Sequence, residues 1–184
     1  LENGVEKDPK SWVVREGATR GNPESYPDYP HPEAAAVTLR PNPGGVTAGA
    51  LTLSTPDAKP AERQLESLID NFSFSGAILS KADWTNHRLL YTTPELKEPL
   101  HLSGTARIRI RLSSSQPAAN LSVWLVSLPW TDSRLITDDV ITRGWADPQN
   151  HRSLTESDSL TPGQFYDLNF TLQDRKSTRL NSSH

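Results

Sequence analysis

The residues able to do chemistry in this chain are few and poorly arranged for it. A serine nucleophile of the α/β-hydrolase kind needs a G-x-S-x-G elbow, which holds the hydroxyl on a sharp strand-to-helix turn. Ser73-Phe74-Ser75-Gly76 comes nearest and lacks the leading glycine. The five histidines, His31, His87, His101, His151 and His184, are scattered, and none stands four residues from another to aim two imidazoles at one zinc ion. Asp138 with Asp139, or Glu156 with Asp158, could pair as acid and base or bind calcium. A calcium loop needs several more oxygen ligands in register, so these carboxylates read as solvated turn residues. No glycine-rich phosphate loop is present. Flat aromatic rings can stack on sugars, which makes Trp84, Trp124, Trp130 and Trp145 candidates. Trp124 is expected to be buried in mid-strand, and the other three near strand ends or loops. Asn71-Phe72-Ser73, Asn120-Leu121-Ser122 and Asn169-Phe170-Thr171 match the glycosylation sequon, a tripeptide common by chance.

Composition narrows the classes. The 184 residues carry a net charge of −3, which offers no basic footprint for nucleic acid. No run approaches the ~18 apolar residues of a spanning helix, so no membrane partner is expected. Hydrophobic residues make up 34%, and the 10 glycines leave the apolar share short of the about 45–50% usual in globular chains. Fifteen prolines add to the picture of a lean core with generous loops. The absence of cysteine excludes a disulfide scaffold, a thiol nucleophile and a thiolate metal site, and leaves the compartment open. With Leu1 first and no methionine anywhere, the chain reads as a fragment. No cofactor or metal is implied.

The elements that must position any site are strands. Thr105 to Leu112 alternates, with Ala106, Ile108, Ile110 and Leu112 on one face and Arg107, Arg109 and Arg111 on the other. That period of two predicts a half-buried antiparallel strand, with the arginine row on its solvated side. Leu121 to Val126 is apolar on both faces, as expected of a strand inside a sandwich. Val140-Ile141-Thr142 and Phe165 to Leu172 predict two more strands. Earlier candidates are Trp12-Val13-Val14, Ala34 to Leu39 and Ala48 to Leu53, the last two joined through Pro41-Asn42-Pro43-Gly44-Gly45. Residues 1–33 read as a mostly irregular connector, proline-rich over 17–33. Leu65, Leu68 and Ile69 suggest one helical turn over Glu62 to Ile69, too short to stand without tertiary support. Asp147 to Pro162 reads as a polar loop. Short strands with turn signals and no sustained helical period predict an all-β sandwich.

Residues 174–184 break this pattern. Asp174 to His184, DRKSTRLNSSH, back-translates to a string that resembles a common short-read sequencing adapter. The segment is therefore expected to be a library artefact, with the native frame leaving off near Gln173, and its Asn181-Ser182-Ser183 sequon is set aside.

Several blocks in order resemble one family. They are Arg88-Leu89-Leu90-Tyr91-Thr92-Thr93-Pro94-Glu95-Leu96, then Leu100 to Ile108, Asn120 to Val126, Ile141-Thr142-Arg143-Gly144-Trp145, and Leu160 to Leu168. Together they resemble the C-terminal, non-catalytic domain of X-Pro dipeptidyl-peptidases and the related cocaine-esterase-like acyl hydrolases. Asn3-Gly4-Val5 through Glu16 resembles the connector that follows the catalytic domain in that family. The resemblance implies a jelly-roll sandwich of the galactose-binding-like kind over 34–173, lacking its final strands. It implies an upstream α/β-hydrolase domain as partner and a peptide as the parent enzyme's substrate. The parent's Ser-His-Asp triad would lie before Leu1, so no catalytic residue is assigned here. Trp84, Asn86 and His87 are the residues expected nearest the substrate, an aromatic with polar groups just ahead of a core strand. The blocks around Trp84 and Trp145 look nearer the peptidase branch than the esterase branch. A sugar-binding jelly roll is the alternative. Oligomeric state is not addressed by any motif. Missing final strands would leave apolar edges unpaired, so the chain alone is expected to aggregate.

Overall fold

The computed structural model describes residues 8–13, 23–54, 64–71, 76–131, 139–173 and 178–180. Its best-defined ladder follows directly from the alternating segment. Strand β7 (Arg107–Leu112) turns Ile108, Ile110 and Leu112 inward and leaves its three arginines exposed. It pairs antiparallel with β10 (Tyr166–Thr171), from Tyr166 opposite Leu112 to Thr171 opposite Arg107. Tyr166 and Leu168 are buried against it, so one face of the ladder is core and the other solvent.

A second ladder joins β8 (Leu121–Val126) to β9 (Val140–Ala146), with one irregularity at Leu125/Val126. The two ladders meet where β10 ends. Gln173 N donates to Arg143 O at 2.8 Å, and Thr142 Oγ1 donates to Gln173 O at 2.7 Å. This crossing requires glycine at 144, because a Cβ there would stand 2.9 Å from Leu172 Cδ2 and 3.0 Å from Thr171 O. Val140, Ile141, Leu160, Tyr166, Leu168 and Leu172 form the core beneath the junction. Leu160 enters it from the long loop, whose Leu160 N donates to Pro117 O at 2.8 Å.

At the other end, β3 (Thr38–Pro41) pairs antiparallel with β4 (Gly49–Ser54). Strand β4 then runs parallel to the two-residue β5 (Tyr91–Thr92). Strands β1 (Ser11–Val13) and β2 (Glu24–Tyr26) form a separate antiparallel pair. The last pair is β6 (Leu100–Leu102) with β11 (Thr178–Leu180). Helix is confined, among the described residues, to α1 (Gly76–Leu79) and a 3-10 turn at Pro148–Asn150. The architecture is all-β, as the alternation led us to expect, and its open sheets are consistent with a sandwich.

Three local expectations change. The supposed helical turn ending at Ile69 is extended over its described part, 64–69. Its polar groups are committed elsewhere: the Glu66 carboxylate binds amides of the 43–47 turn, and Ile69 N donates to Asn86 O at 2.6 Å. The connector is not wholly irregular. It contributes β2, whose buried Tyr26 meets His31 edge-on at 4.8 Å, while His31 N donates to Ser103 Oγ at 3.2 Å. Trp124 is half-buried rather than buried, because it lies on the outer face of β8 beneath Arg143, whose guanidinium stands 5.8 Å from its ring centre.

Candidate functional site

The site grows from a glycine turn and the two charged side chains that grip it. Gly44 has φ of +117°, a conformation other residues rarely adopt, and Thr47 N closes the turn on Gly44 O at 3.0 Å. The turn directs the amides of Gly44 and Gly45 at a single acceptor, Glu66 Oε1, at 2.8 and 2.7 Å. Glu66 Oε2 accepts from the Tyr91 hydroxyl at 2.6 Å. Burial works against the Glu66 charge, but the Tyr91, Gly44 and Gly45 bonds outweigh it and hold the carboxyl below its ordinary value. Tyr91 moves the other way: burial first, then its bond to Glu66 and that residue's charge, push the phenol well up.

Arg88 grips the same turn from its carbonyl side. Its buried guanidinium donates through Nη1 to Gly45 O (2.8 Å) and Val46 O (3.1 Å). Nε reaches Leu79 O at 3.1 Å, and Nη2 reaches Lys81 O at 2.5 Å and Asp83 O at 3.0 Å. Five backbone carbonyls thus accept from this one cation. Desolvation lowers its pKa, and the nearby Asp83 charge opposes that shift. Backbone bonds complete the frame: Leu90 N to Gly45 O and Thr85 N to Val46 O, both 2.8 Å, and Gly49 N to Leu90 O at 2.9 Å.

This frame positions the three residues expected near substrate, but not equally. Trp84 projects with 68% of its surface exposed. Asn86 is half-buried and lends its carbonyl to Ile69. His87 N donates to Thr85 Oγ1 at 3.2 Å, and its Nδ1 lies 3.0 Å from Ile69 O. A carbonyl only accepts, so Nδ1 carries the proton and the ring is anchored to the 64–71 strap. Trp84 is presented outward; Asn86 and His87 fasten its base.

Beside this frame lies a cleft of about 300 Å³ between Ala77, Ser80 and Lys81 on one wall and Leu128, Pro129 and Trp130 on the other. Buried Asp139 fixes the second wall, its carboxylate accepting from Thr131 N at 3.0 Å and Thr131 Oγ1 at 2.9 Å. Of the other candidates, Trp145 is exposed, with Arg143 lying over its ring at 5.1 Å. Asp158 pairs with Arg152 at 2.8 Å on the surface. Ser73, Phe74, Ser75 and Asp138 lie outside the described residues. No group of three metal-ligating side chains comes together among the described residues.

Sequence reasoning did not single out Glu66, Arg88 or Tyr91. Apart from the contact between Glu66 and Tyr91, their partners are backbone atoms 5 to 43 positions away, and a backbone partner leaves no mark on composition.

A family model described as the X-Pro dipeptidyl-peptidase C-terminal non-catalytic domain matches residues 3–178. The chain belongs to that family. As an X-Pro dipeptidyl-peptidase C-terminal domain, it is 57% identical over 174 residues to a Rhodopirellula baltica protein named "Putative Xaa-Pro dipeptidyl-peptidase". That match covers 94% of this chain and 27% of the relative. A protein of the same name from Bacillus anthracis is 27% identical over 175 residues, with the same two coverages. The chain therefore spans 27% of the length of the curated relatives it matches. The crystal structure of an aminopeptidase from a marine-sediment Thaumarchaeota archaeon superposes with a TM-score of 0.60 at 18% identity. It covers 95% of this chain and 31% of that one, a likeness of fold.

Proposed function

We propose that this domain serves a larger serine peptidase that releases Xaa-Pro dipeptides from peptide N-termini, supporting its catalytic domain and bordering its cleft with Trp84. Family membership and the named relatives support the peptidase setting. One observation carries the cleft assignment: an exposed indole on a segment whose base is locked by Arg88 and by the Ile69–Asn86–His87 bonds. A free surface loop has no need of a buried cation to hold it still. A fixed apolar wall does, because orientation near a reacting bond contributes only if the wall does not move. The acyl chemistry itself belongs to the catalytic domain, where a serine would attack the carbonyl with histidine and aspartate assisting. This domain's part is to shield and orient the peptide. Asn86 and His87 act through Trp84, as positioning residues.

The test is Trp84→Ala in the full-length enzyme, assayed on an Xaa-Pro chromogenic substrate and by thermal unfolding. Expected is a fall in kcat/KM of about tenfold, equal to ~1.4 kcal/mol of transition-state stabilisation, with Tm nearly unchanged. Unchanged kcat/KM with a lowered Tm would show Trp84 to be a packing residue and defeat the cleft assignment. An enzyme that cleaves acyl esters and leaves Xaa-Pro peptides untouched would move the domain to the esterase branch. The sugar-binding alternative has less support, since Arg143 already stands over the Trp145 and Trp124 rings.

A further inference from the structure

Eleven large hydrophobic side chains are exposed among the described residues, and they are not spread evenly. Leu65, Leu68, Ile69 and Ile78 fall within fourteen positions, at 75%, 43%, 49% and 50% exposure. Leu65, Leu68 and Ile69 lie on the 64–71 strap, and Ile78 lies on α1. Both pieces are tied to one frame: the strap by Glu66 and by Ile69 to Asn86 and His87, and α1 by Leu79 O to Arg88. A buried cation and a carboxylate with three hydrogen bonds thus hold an apolar surface still.

We infer that the strap and α1 form the face that docks on the remainder of the parent polypeptide. This deepens, and rests on, the proposal that the domain serves a larger enzyme. The four aliphatic residues leave open on the order of 400 Å² of surface, the size of the largest apolar patch a monomer usually shows. A stable dimer of independent chains needs about 800 Å² from each partner. Interfaces between domains of one chain run to roughly 600–1,500 Å² in total, because the tether supplies the effective concentration. The patch matches the tethered case. Relatives in which this domain makes up 27% of the length supply the covalently linked surface it requires. The cleft lined by Ala77, Ser80, Lys81 and Trp130 begins at the foot of the same helix, and gives the docking surface a recess for a projecting side chain.

Hydroxyl-radical footprinting of the intact parent enzyme, read residue by residue by mass spectrometry, tests this. Leu154, 92% exposed and far from the strap in sequence, is the aliphatic reference. Expected is oxidation of Leu65, Leu68, Ile69 and Ile78 at least fivefold slower than that of Leu154, at every protein concentration. Rates close to that of Leu154 in an enzyme active on Xaa-Pro substrates would overturn the docking face and leave the peptidase reading standing. Protection lost on dilution, in step with dissociation of an oligomer, would assign the face to a second copy and equally overturn the inference. Persistent protection in an enzyme without Xaa-Pro activity would support the docking face and remove the peptidase reading instead.

Discussion

Replacing Arg88 by lysine keeps the charge and removes the fork, and so tests whether the geometry of the guanidinium holds the frame. The arginine satisfies carbonyls of Gly45, Val46, Leu79, Lys81 and Asp83. Lysine offers three protons from one nitrogen, so at least two of the five bonds are lost, while Gly45 O and Val46 O keep the amides of Leu90 and Thr85 as donors. At about 1 kcal/mol for each hydrogen bond lost, Arg88→Lys should cost about 2 kcal/mol. In a domain of this size that corresponds to a fall in Tm on the order of 4–8 °C. The loss should also have an address. Hydrogen exchange should quicken together at the amides of Gly49, Thr85 and Leu90, which close on the same turn. Arg88→Met removes the desolvated charge together with all five side-chain bonds, and should be at least as damaging as lysine. A lysine variant within about 0.5 kcal/mol of wild type, with those amides unchanged, would show that the frame does not depend on the fork. A neutral methionine variant would show that the cost of burying the cation had cancelled its bonds.

Three further outcomes follow from the same frame. Because the folded-state pKa of Glu66 is depressed, its contribution to stability is present above its unfolded value of about 4.3 and is lost as pH falls through the folded value. Melting temperature should therefore drop more steeply with acidification in wild type than in Glu66→Gln, which itself costs about 1–2 kcal/mol at neutral pH. Tyr91→Phe removes the 2.6 Å bond to Glu66 Oε2 and should cost about 2 kcal/mol in chemical denaturation, while raising the pH at which acid unfolding begins. Gly49→Ala would place a Cβ 2.5 Å from Asn42 O and 2.7 Å from Tyr91 Cδ1. It should destabilise by about 2–3 kcal/mol, whereas alanine at Gly163, where no atom lies within 4 Å of the added carbon, should cost only its backbone strain at φ +79°.

What the sequence made legible was whatever repeats along a strand. The Arg107–Leu112 alternation announced β7 and its faces, and Phe165 to Leu172 announced β10, because a period of two is imposed by the pleat itself. Strand β9 extends to Ala146, four residues beyond its predicted end, since Arg143 and Gly144 carry no strand signal of their own and are held there by pairing with β8. The helical turn over 62–69 misled because the spacing of Leu65, Leu68 and Ile69 is not imposed by a buried face: the described strap is extended and exposed at every position except Glu66. The site was legible only in part. Trp84 was recognisable as an aromatic just ahead of a strand. Glu66 and Arg88 were not, because their work is done on main-chain atoms brought near by folding.

The pairing of β6 with β11 has a consequence for how this chain behaves in isolation. Main-chain ladders carry no address: each partner presents the same alternating donors and acceptors whatever its side chains are. A three-residue edge such as Leu100–Leu102 will accept any extended segment that arrives in antiparallel register. In a concentrated solution of the domain, the strands that compete for that position include those of neighbouring molecules. Exchange between copies then becomes a matter of local concentration, and the same edge that closes one molecule can link two.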